Sequence, residues 1–219
     1  MIFIILGLSG SGKGTQARLL SQRLNNIPTI STGALLRIKY DENNPDGVKA
    51  ERYWSKGKWV PDALMYKILT RRLDEPDCYH GFILDAFPRT LKQVTMLDHY
   101  LSHRDKRITK VIHLTVSDEE VVDRMVKRAQ DDVRVFGKAR RDENTDAIKE
   151  RLLSHHRTID PILDEYESRG LLLNVNGELP VGEIHEHIVH ELRKEHIIKI
   201  HHRRTIRIER GAYERKNRS

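Results

Sequence analysis

Short apolar runs along the chain predict the strands of a buried sheet. Each run has the length of a strand and is rich in isoleucine, leucine, valine or phenylalanine. Longer segments with apolar residues at helical spacing lie between them. Because apolar strands that alternate with helices are typical of a parallel sheet covered on both faces, we predict an α/β fold with five parallel strands. The predicted strands are residues 2–6, 29–30, 82–84, 110–116 and 171–175.

The segments between the strands predict helices and two excursions from the core. Residues 31–72 and 129–139 are too polar to be buried, so we expect them to cover the carboxyl ends of the strands, where ligands bind in such folds. The predicted helices are residues 15–24, 34–40, 48–55, 62–73, 91–101, 118–129, 142–168 and 181–195.

A glycine-rich segment separates the first strand from the first helix. Its sequence, GLSGSGKGT over residues 7–15, predicts a P-loop, in which backbone N–H groups and a helix N-terminus surround phosphate groups. Lys13 is expected to face solvent and to reach the outer phosphates of a nucleotide. A glycine-rich turn without a ligand is the simpler alternative, but glycines, lysine, hydroxyl groups and the strand–helix context all coincide. The predicted core is therefore P-loop NTPase-like, with phosphate held by Gly10, Ser11, Gly12, Lys13, Gly14 and Thr15.

Position 14 departs from the general P-loop pattern. A serine or threonine usually follows the lysine and binds Mg²⁺, whereas this chain has Gly14 there and Thr15 one residue later. We therefore expect the metal to be held by nucleotide phosphates and water rather than directly by the loop. The variant indicates a subset of P-loop proteins.

Length and composition favour one domain with appendages in a reducing compartment. The chain has 219 residues, enough for one well-buried core, and shows no internal repeat. Its single cysteine, Cys78, excludes an intramolecular disulfide framework and a CxxC zinc site, which suits the cytoplasm. The first apolar run is only as long as a strand, so we expect neither a signal peptide nor a membrane span.

Positive charge is concentrated at the C-terminal end. Residues 193–219 contain ten Lys or Arg residues and three Glu residues, so they carry the whole net charge of +7 and residues 1–192 sum to zero. Isoleucines that alternate there with polar or basic neighbours favour a strand or hairpin. We expect a solvated or self-packing extension, and the alternative is a weak, salt-sensitive contact with RNA or another polyanion.

Further motifs follow the P-loop in a fixed order. They are STGALLR from residue 31, GKWVPD from residue 57, GFILDAFPRTLKQ from residue 81, VVDRMVKR from residue 121 and RRDENTDAIKERL from residue 140. Together with GLSGSGKGTQ they resemble adenylate kinase, from residue 1 to about residue 192. The pattern D-x-F-P-R-T-x-x-Q, in register with the P-loop, is the most specific part of this resemblance.

The resemblance implies reversible, Mg²⁺-dependent transfer of a phosphoryl group from ATP to AMP, which gives two ADP. It also implies a domain at residues 1–192 that includes an AMP-binding excursion at 31–60 and a lid at 128–141, followed by an extension at 193–219. We expect a monomer in the cytoplasm with no membrane partner. The lid is short and contains no cysteine, so it is expected to lack zinc.

Site residues are assigned by the same resemblance. ATP is expected to contact the P-loop residues together with Arg124, Arg128 and Leu179, and Asp85 is expected to hold Mg²⁺ through water. Catalytic roles fall to Lys13, Arg89, Arg124, Arg128, Arg140 and Arg151. The residues expected to contact AMP are Thr32, Arg37, Lys58, Trp59, Val60, Ala86, Phe87, Pro88, Arg89, Gln93, Arg140 and Arg151.

These residue types suit the chemistry. Phosphoryl transfer depends on alignment of donor and acceptor and on stabilisation of negative charge. Arginine binds phosphate oxygens with a fixed pair of donors and keeps its charge. The amide of Gln93 offers one donor and one acceptor side by side, which matches the edge of adenine. Specificity for AMP is therefore expected to depend on Thr32 and Gln93.

Two residues depart from the family pattern. Ala34 stands where the family usually has aspartate, and Ala86 stands where it usually has glycine. The Ala86 methyl group is expected near the AMP phosphate, so a kinase for UMP, CMP or GMP is one alternative. A non-catalytic nucleotide-binding or RNA-associated P-loop protein is another. That alternative leaves the arginine set unexplained, and the chain has no N-K-x-D motif of a GTPase switch.

Overall fold

The computed structural model describes residues 1–136 and 145–198, and within these ranges one or more helices follow each strand. A single 3₁₀ turn, Pro76–Cys78, precedes the third strand in this part of the chain. The elements are β1 (Ile2–Gly7), α1 (Lys13–Arg23), β2 (Thr29–Ser31), α2 (Thr32–Asp41), α3 (Pro45–Trp54), α4 (Asp62–Leu73), β3 (Phe82–Asp85), α5 (Leu91–Ser102), β4 (Lys110–Thr115), α6 (Asp118–Phe136), α7 (Thr145–His156), α8 (Ile159–Ser168), β5 (Leu172–Asn176) and α9 (Val181–Lys194).

The five strands form one parallel sheet in the order β2-β3-β1-β4-β5. β1 lies at the centre, where Ile4 pairs with Leu84 on one side and with Val111 on the other. All six residues of β1 are buried. The predicted five-stranded parallel sheet is confirmed.

Alternate residues of β1 enter two different hydrophobic clusters. Ile2, Ile4 and Leu6 pack in a cluster with residues of α2 to α5 and α8. Phe3 and Ile5 pack on the other face with residues of α1 and α9. Because successive side chains of a strand point to opposite faces, a fully apolar strand needs helices on both sides.

Two predicted helix boundaries are wrong. The helix predicted over residues 142–168 is interrupted at Thr158, whose hydroxyl donates to Ser154 O across 3.0 Å and whose N–H donates to His155 O across 3.0 Å. Such side-chain bonds to the preceding turn compete with regular helix geometry. α6 runs to Phe136 rather than to residue 129, because polar residues there suit an exposed helix; Arg134 pairs with Asp131 across 3.1 Å.

The carboxyl ends of three adjacent strands bring polar residues to one edge of the sheet. Ser31 at the end of β2 is in register with Asp85 at the end of β3, and Asp85 is in register with Ile5 of β1. The glycine-rich segment follows β1 directly at this edge. Within the described ranges, none of the helices is both long and apolar enough to cross a bilayer.

Candidate active site

A cavity of about 480 Å³ opens at the carboxyl ends of β1, β2 and β3. Its floor is the glycine-rich segment, and its walls come from the start of α2, the turn after α3, the segment after β3, and one side each of α6 and α7. The first predicted excursion, residues 31–72, therefore contributes walls to the cavity, whereas none of the described residues of the second excursion lines it. Such a concave site between a core and covering segments is typical of small-molecule binding.

The glycine-rich segment has the backbone of a P-loop. Gly10 and Gly12 have φ angles of 89° and 93°, a region in which a side chain would be strained. The N–H of Ser11 donates to Leu8 O across 3.1 Å, which closes a turn, and α1 begins at Lys13. The N-terminus of α1 carries a partial positive charge and lies at the cavity, where it favours anions.

Lys13 is buried, and the expectation that it faces solvent is wrong. Its side chain is only 7% exposed, and Nζ donates to Leu8 O across 2.5 Å. Burial, together with the charges of Arg89, Arg128 and Arg151, lowers the pKa of Lys13 to about 8, and Asp85 opposes this shift. Loss of water around an ammonium group disfavours its charged form.

Arg89 is held at three points. Its N–H donates to Gln93 Oε1 across 2.8 Å, and its Nε donates to Ala86 O across 3.0 Å. Its guanidinium carbon lies 4.0 Å from the centre of the Trp59 ring. Burial and the charge of Arg151 lower the pKa of Arg89 to about 10, while Asp85 raises it.

Three further arginines reach the cavity from α6 and α7. On α6, Arg124 donates from Nε to Glu120 Oε1 across 2.6 Å and from Nη1 to Gly177 O across 3.0 Å. Arg128 also lines the cavity from α6. On α7, Arg151 donates from Nη1 to Ser9 Oγ across 3.3 Å, so α7 contacts the P-loop directly.

Asp85 is the single carboxylate among the described residues that line the cavity. It is 8% exposed, and its Oδ1 is buried with no hydrogen-bond partner among the described residues. A Cβ placed on Gly14 would lie 3.6 Å from Asp85 Oδ2. The cavity therefore combines several cationic groups with one carboxylate that lies beside the start of α1.

Comparisons with known proteins decide the family. The family model described as "Adenylate kinase" matches residues 5–171. The chain belongs to the adenylate kinase family. It is 41% identical over 192 residues to the adenylate kinase of Bifidobacterium longum (strain NCC 2705), a match that covers 88% of this chain and 100% of that protein. It is 39% identical over 184 residues to the adenylate kinase of Chelativorans sp. (strain BNC1), covering 84% of this chain and 94% of that protein.

The comparisons confirm the resemblance that the motifs indicated, and with it the enzyme class. Most of the residues that the resemblance assigned lie on the cavity. They are Gly10, Gly12, Lys13, Gly14, Thr15, Thr32, Arg37, Lys58, Trp59, Val60, Asp85, Ala86, Phe87, Arg89, Gln93, Arg124, Arg128 and Arg151. The P-loop and the residues predicted to bind each of the two nucleotides therefore line the same cavity.

Three assigned residues do not line the cavity, and a fourth lies outside the described residues. Ser11 is fully buried, and Pro88 lines a small adjoining pocket with His155. Leu179 is 42% exposed and does not line the cavity. Arg140 lies outside the described residues, as do all of residues 137–141 of the predicted lid. The prediction of a lid without zinc stays a prediction.

The motifs did not indicate every residue that lines the cavity. Ser9 and Gly57 are within quoted motifs, and they line the cavity through the same turns as their neighbours. Three apolar residues of the cavity wall were not predicted, because apolar residues at these positions are equally expected in the buried face of a helix. They are Leu36, Trp54 and Met65.

Both ends of the Gln93 amide have hydrogen-bond partners. Oε1 accepts the Arg89 N–H, and Nε2 donates to Asp62 Oδ1 across 2.8 Å. Asp62 also accepts from the Thr90 hydroxyl across 3.0 Å. An amide has two N–H groups and two lone pairs, so each end of Gln93 retains capacity for one more bond.

Ala86 occupies a backbone conformation that favours glycine. Its φ angle is 66°, in the left-handed region. Its N–H donates to Ile5 O across 3.1 Å, and its carbonyl accepts from the Thr32 hydroxyl across 3.2 Å and from Arg89 Nε. The departure from the family's glycine therefore places a strained residue at a junction that positions two predicted AMP contacts.

Proposed function

We propose that the cavity binds ATP and AMP facing each other and transfers the γ-phosphoryl group of ATP to AMP, which gives two ADP. The observation that carries this proposal is the convergence of Lys13, Arg89, Arg128 and Arg151 around one carboxylate. Without a ligand these cations repel one another and are partly dehydrated, which is what lowers the pKa values of Lys13 and Arg89. A set of phosphate groups supplies the missing negative charge.

The donor is proposed to bind on the P-loop side. The N-terminus of α1 and the loop N–H groups would surround its β- and γ-phosphates, with Lys13 beside them. Arg124 and Arg128 approach the same region from α6. The proposed ATP contacts are Gly10, Ser11, Gly12, Lys13, Gly14, Thr15, Arg124, Arg128 and Leu179.

AMP is proposed to bind between α2, the turn after α3 and the segment after β3. Arg89 and Arg37 would hold its phosphate, while Gln93 and Thr32 would bind the edge of its base. Arg151 and Arg140 would bridge the two nucleotides from the lid side. The other proposed contacts are Lys58, Trp59, Val60, Ala86, Phe87 and Pro88.

The residues present fit the Mg²⁺ that the family uses. Asp85 carries a buried carboxylate oxygen with no described partner, next to the P-loop, and Gly14 leaves room where other P-loops have a hydroxyl ligand. Asp85 would orient water ligands of the ion, since Mg²⁺ keeps several waters. When bound, Mg²⁺ supplies charge neutralisation between the β- and γ-phosphates.

Catalysis by the chain's own groups follows from alignment and charge. A phosphate oxygen of AMP forms a bond to the γ-phosphorus as the bond from that phosphorus to the bridging oxygen of ADP breaks. Arg89 and Arg151 would hold the acceptor oxygen in line with the donor, and Lys13 would stabilise charge on the transferred group. Closure of the lid would exclude water, which competes as an acceptor.

An acceptor scan tests the proposal. Purified protein, ATP and Mg²⁺ are combined with AMP, CMP, UMP or GMP, and ADP formation is followed by chromatography. The expected result is rapid ADP formation with AMP and little turnover with the others. Preference for another nucleotide would support the alternative kinase, and no turnover with any acceptor would support a binding protein.

Three finer points belong to the same proposal. We propose a monomer, and we propose that it is located in the cytoplasm, because the single cysteine is buried and suits a reducing compartment. We also propose that residues 193–219, with their net charge of +7, make a weak and salt-sensitive contact with RNA or another polyanion. Contact of this kind depends on counterion release and needs no base recognition.

A further inference from the structure

We infer that Trp59 is a positioning residue for Arg89: its ring holds the guanidinium in the orientation that receives the phosphate of the acceptor nucleotide. The inference rests on the proposed function, and it adds a task for the Trp59 side chain to the AMP contact that the resemblance assigned to this position. The structure places the Trp59 ring against a cation, with the Arg89 guanidinium carbon 4.0 Å from the ring centre.

The contacts of Arg89 leave one edge of its guanidinium for a ligand. Nε donates to Ala86 O across 3.0 Å, and the Trp59 ring covers one face of the guanidinium. Among the described residues, neither Nη1 nor Nη2 of Arg89 has an acceptor. A guanidinium fixed at Nε and on one face presents its remaining N–H groups as a pair, the arrangement that binds two phosphate oxygens at once.

The ring is suited to this task because of where Arg89 lies. The guanidinium is planar and weakly hydrated, and an aromatic face carries partial negative charge that attracts it. Removal from water lowers the pKa of Arg89, so a neighbour that replaces part of its solvation without using its N–H groups is favourable. A carboxylate at this position would compete with phosphate for the same donors. Trp59 does not compete.

The backbone before Trp59 fixes the position of the ring. Gly57 has φ 74°, and a Cβ there would lie 2.2 Å from Ala147 O, so the turn lies directly on α7. The N–H of Gly57 donates to Trp54 O across 3.0 Å, and the N–H of Lys58 donates to Tyr53 O across 3.1 Å. The turn that carries Trp59 is therefore held by α3 on one side and by α7 on the other.

Two substitutions separate the aromatic face from simple bulk. Trp59→Phe keeps a ring for the guanidinium, whereas Trp59→Leu fills space without one. Calorimetric titration of each variant with AMP and with adenosine then distinguishes the two tasks, because adenosine lacks the phosphate. We expect Trp59→Leu to weaken AMP binding about tenfold and to change adenosine binding less than about twofold. Trp59→Phe should bind both within about threefold of the unsubstituted protein.

Steady-state kinetics provide a second readout. Trp59→Leu should raise the KM for AMP by a similar factor, with the KM for ATP unchanged, because the P-loop does not depend on Trp59. In an Arg89→Met background, which removes the cation, Trp59→Leu should have less than about a twofold further effect on AMP binding, since residues that act through one another are not additive. If Trp59→Leu does not fold, Trp59→Met supplies a flexible side chain without a ring.

Several outcomes would overturn the inference. Equal weakening of AMP and adenosine would assign Trp59 to the base. Equal behaviour of the Phe and Leu variants would exclude the aromatic face, and additive effects with Arg89→Met would exclude action through Arg89. Failure of the proposed function is distinguishable, because the unsubstituted protein would then neither phosphorylate AMP nor bind it more tightly than adenosine.

Discussion

The ammonium group of Lys13 donates to the carbonyl oxygen of Leu8, within the same loop that precedes α1. The lysine is thus held in the loop before any nucleotide arrives, and it is nearly inaccessible to water. This contact offsets part of the desolvation of the ammonium, but it provides no negative charge. Phosphate groups of a nucleotide would provide that charge.

Lys13→Met is expected to remove most activity without loss of the fold. Methionine has a similar length and needs no partner in a buried position, so the melting temperature should not fall. Loss of a well-placed charge in the transition state lowers kcat by about a hundredfold or more. The measurement is kcat in a coupled ADP assay with melting curves alongside. Substitution of the exposed Lys92 on α5, Lys92→Met, is the control and should keep full activity.

Nucleotide binding is expected to take up a proton above about pH 8, the pKa to which burial lowers Lys13. Bound phosphate favours charged Lys13 and raises its pKa in the complex. Below the pKa of the free protein, Lys13 is charged in both states and its contribution to affinity is complete. Above it, ATP affinity falls with pH by at most about tenfold per unit, until the pKa of the complex is reached.

Calorimetry at pH values above the pKa of free Lys13 measures this uptake directly. The binding enthalpy of ATP should differ between buffers with different ionisation enthalpies, in proportion to the protons taken up. Lys13→Met should lack the component due to Lys13. Equal uptake in both proteins would assign the proton to another group.

Gln93→Leu is expected to reduce the preference for AMP over CMP and UMP, with the KM for ATP little changed. Leucine keeps the size of the side chain but removes both amide groups. The change also leaves the Arg89 N–H without a partner and removes one of the two bonds that Asp62 accepts, which lowers the free energy of unfolding by about 1–3 kcal/mol. Asp62→Asn keeps an acceptor for Gln93 and should retain the AMP preference. An intact preference in Gln93→Leu would contradict the assigned role.

Ala86→Gly is expected to leave stability equal or raise it slightly. Relief of the left-handed conformation at φ 66° contributes about 1–2 kcal/mol, and the greater freedom of glycine in the unfolded chain offsets about 0.4–1 kcal/mol of that. Urea unfolding measures the difference. Ala129→Gly within α6 is the matched control and should lose about 1 kcal/mol. A loss of similar size at position 86 would show that the strain there is negligible.

Truncation after Ile198 is expected to preserve kinase activity, whereas truncation after Glu195 should lower stability. Ile198 is 9% exposed and packs in the cluster that contains Ile188 and Leu192. Loss of a buried isoleucine lowers the free energy of unfolding by about 1.5–3 kcal/mol.

Truncation after Ile198 should also abolish retention on RNA at low salt. Equal retention of the full and truncated chains in a salt titration would contradict the polyanion contact.

The sequence by itself determined the sheet and the phosphate-binding loop. Apolar runs such as residues 2–6 specify a strand buried on both faces, since no other position in a parallel sheet suits them. The glycines at 10 and 12 specify left-handed backbone within a few residues. These features depend on residues that are close together in the chain, so they can be predicted from the sequence. The ends of the helices were predicted less well. A threonine such as Thr158, and polar residues such as those at the end of α6, occur both inside helices and where helices end.

Only the tertiary structure decided how the site's side chains are held. Lys13 is buried by residues that are distant in the chain. The contact of Arg89 with Trp59 and the hydrogen bond from Gln93 to Asp62 likewise join segments that are distant in the chain. Leu179 likewise lies exposed and away from the cavity, which the sequence did not indicate. Desolvation and contact geometry depend on every element that surrounds a group. A sequence motif indicates which residues form a site. The packing of the sheet and helices determines the pKa values and the orientations of their side chains.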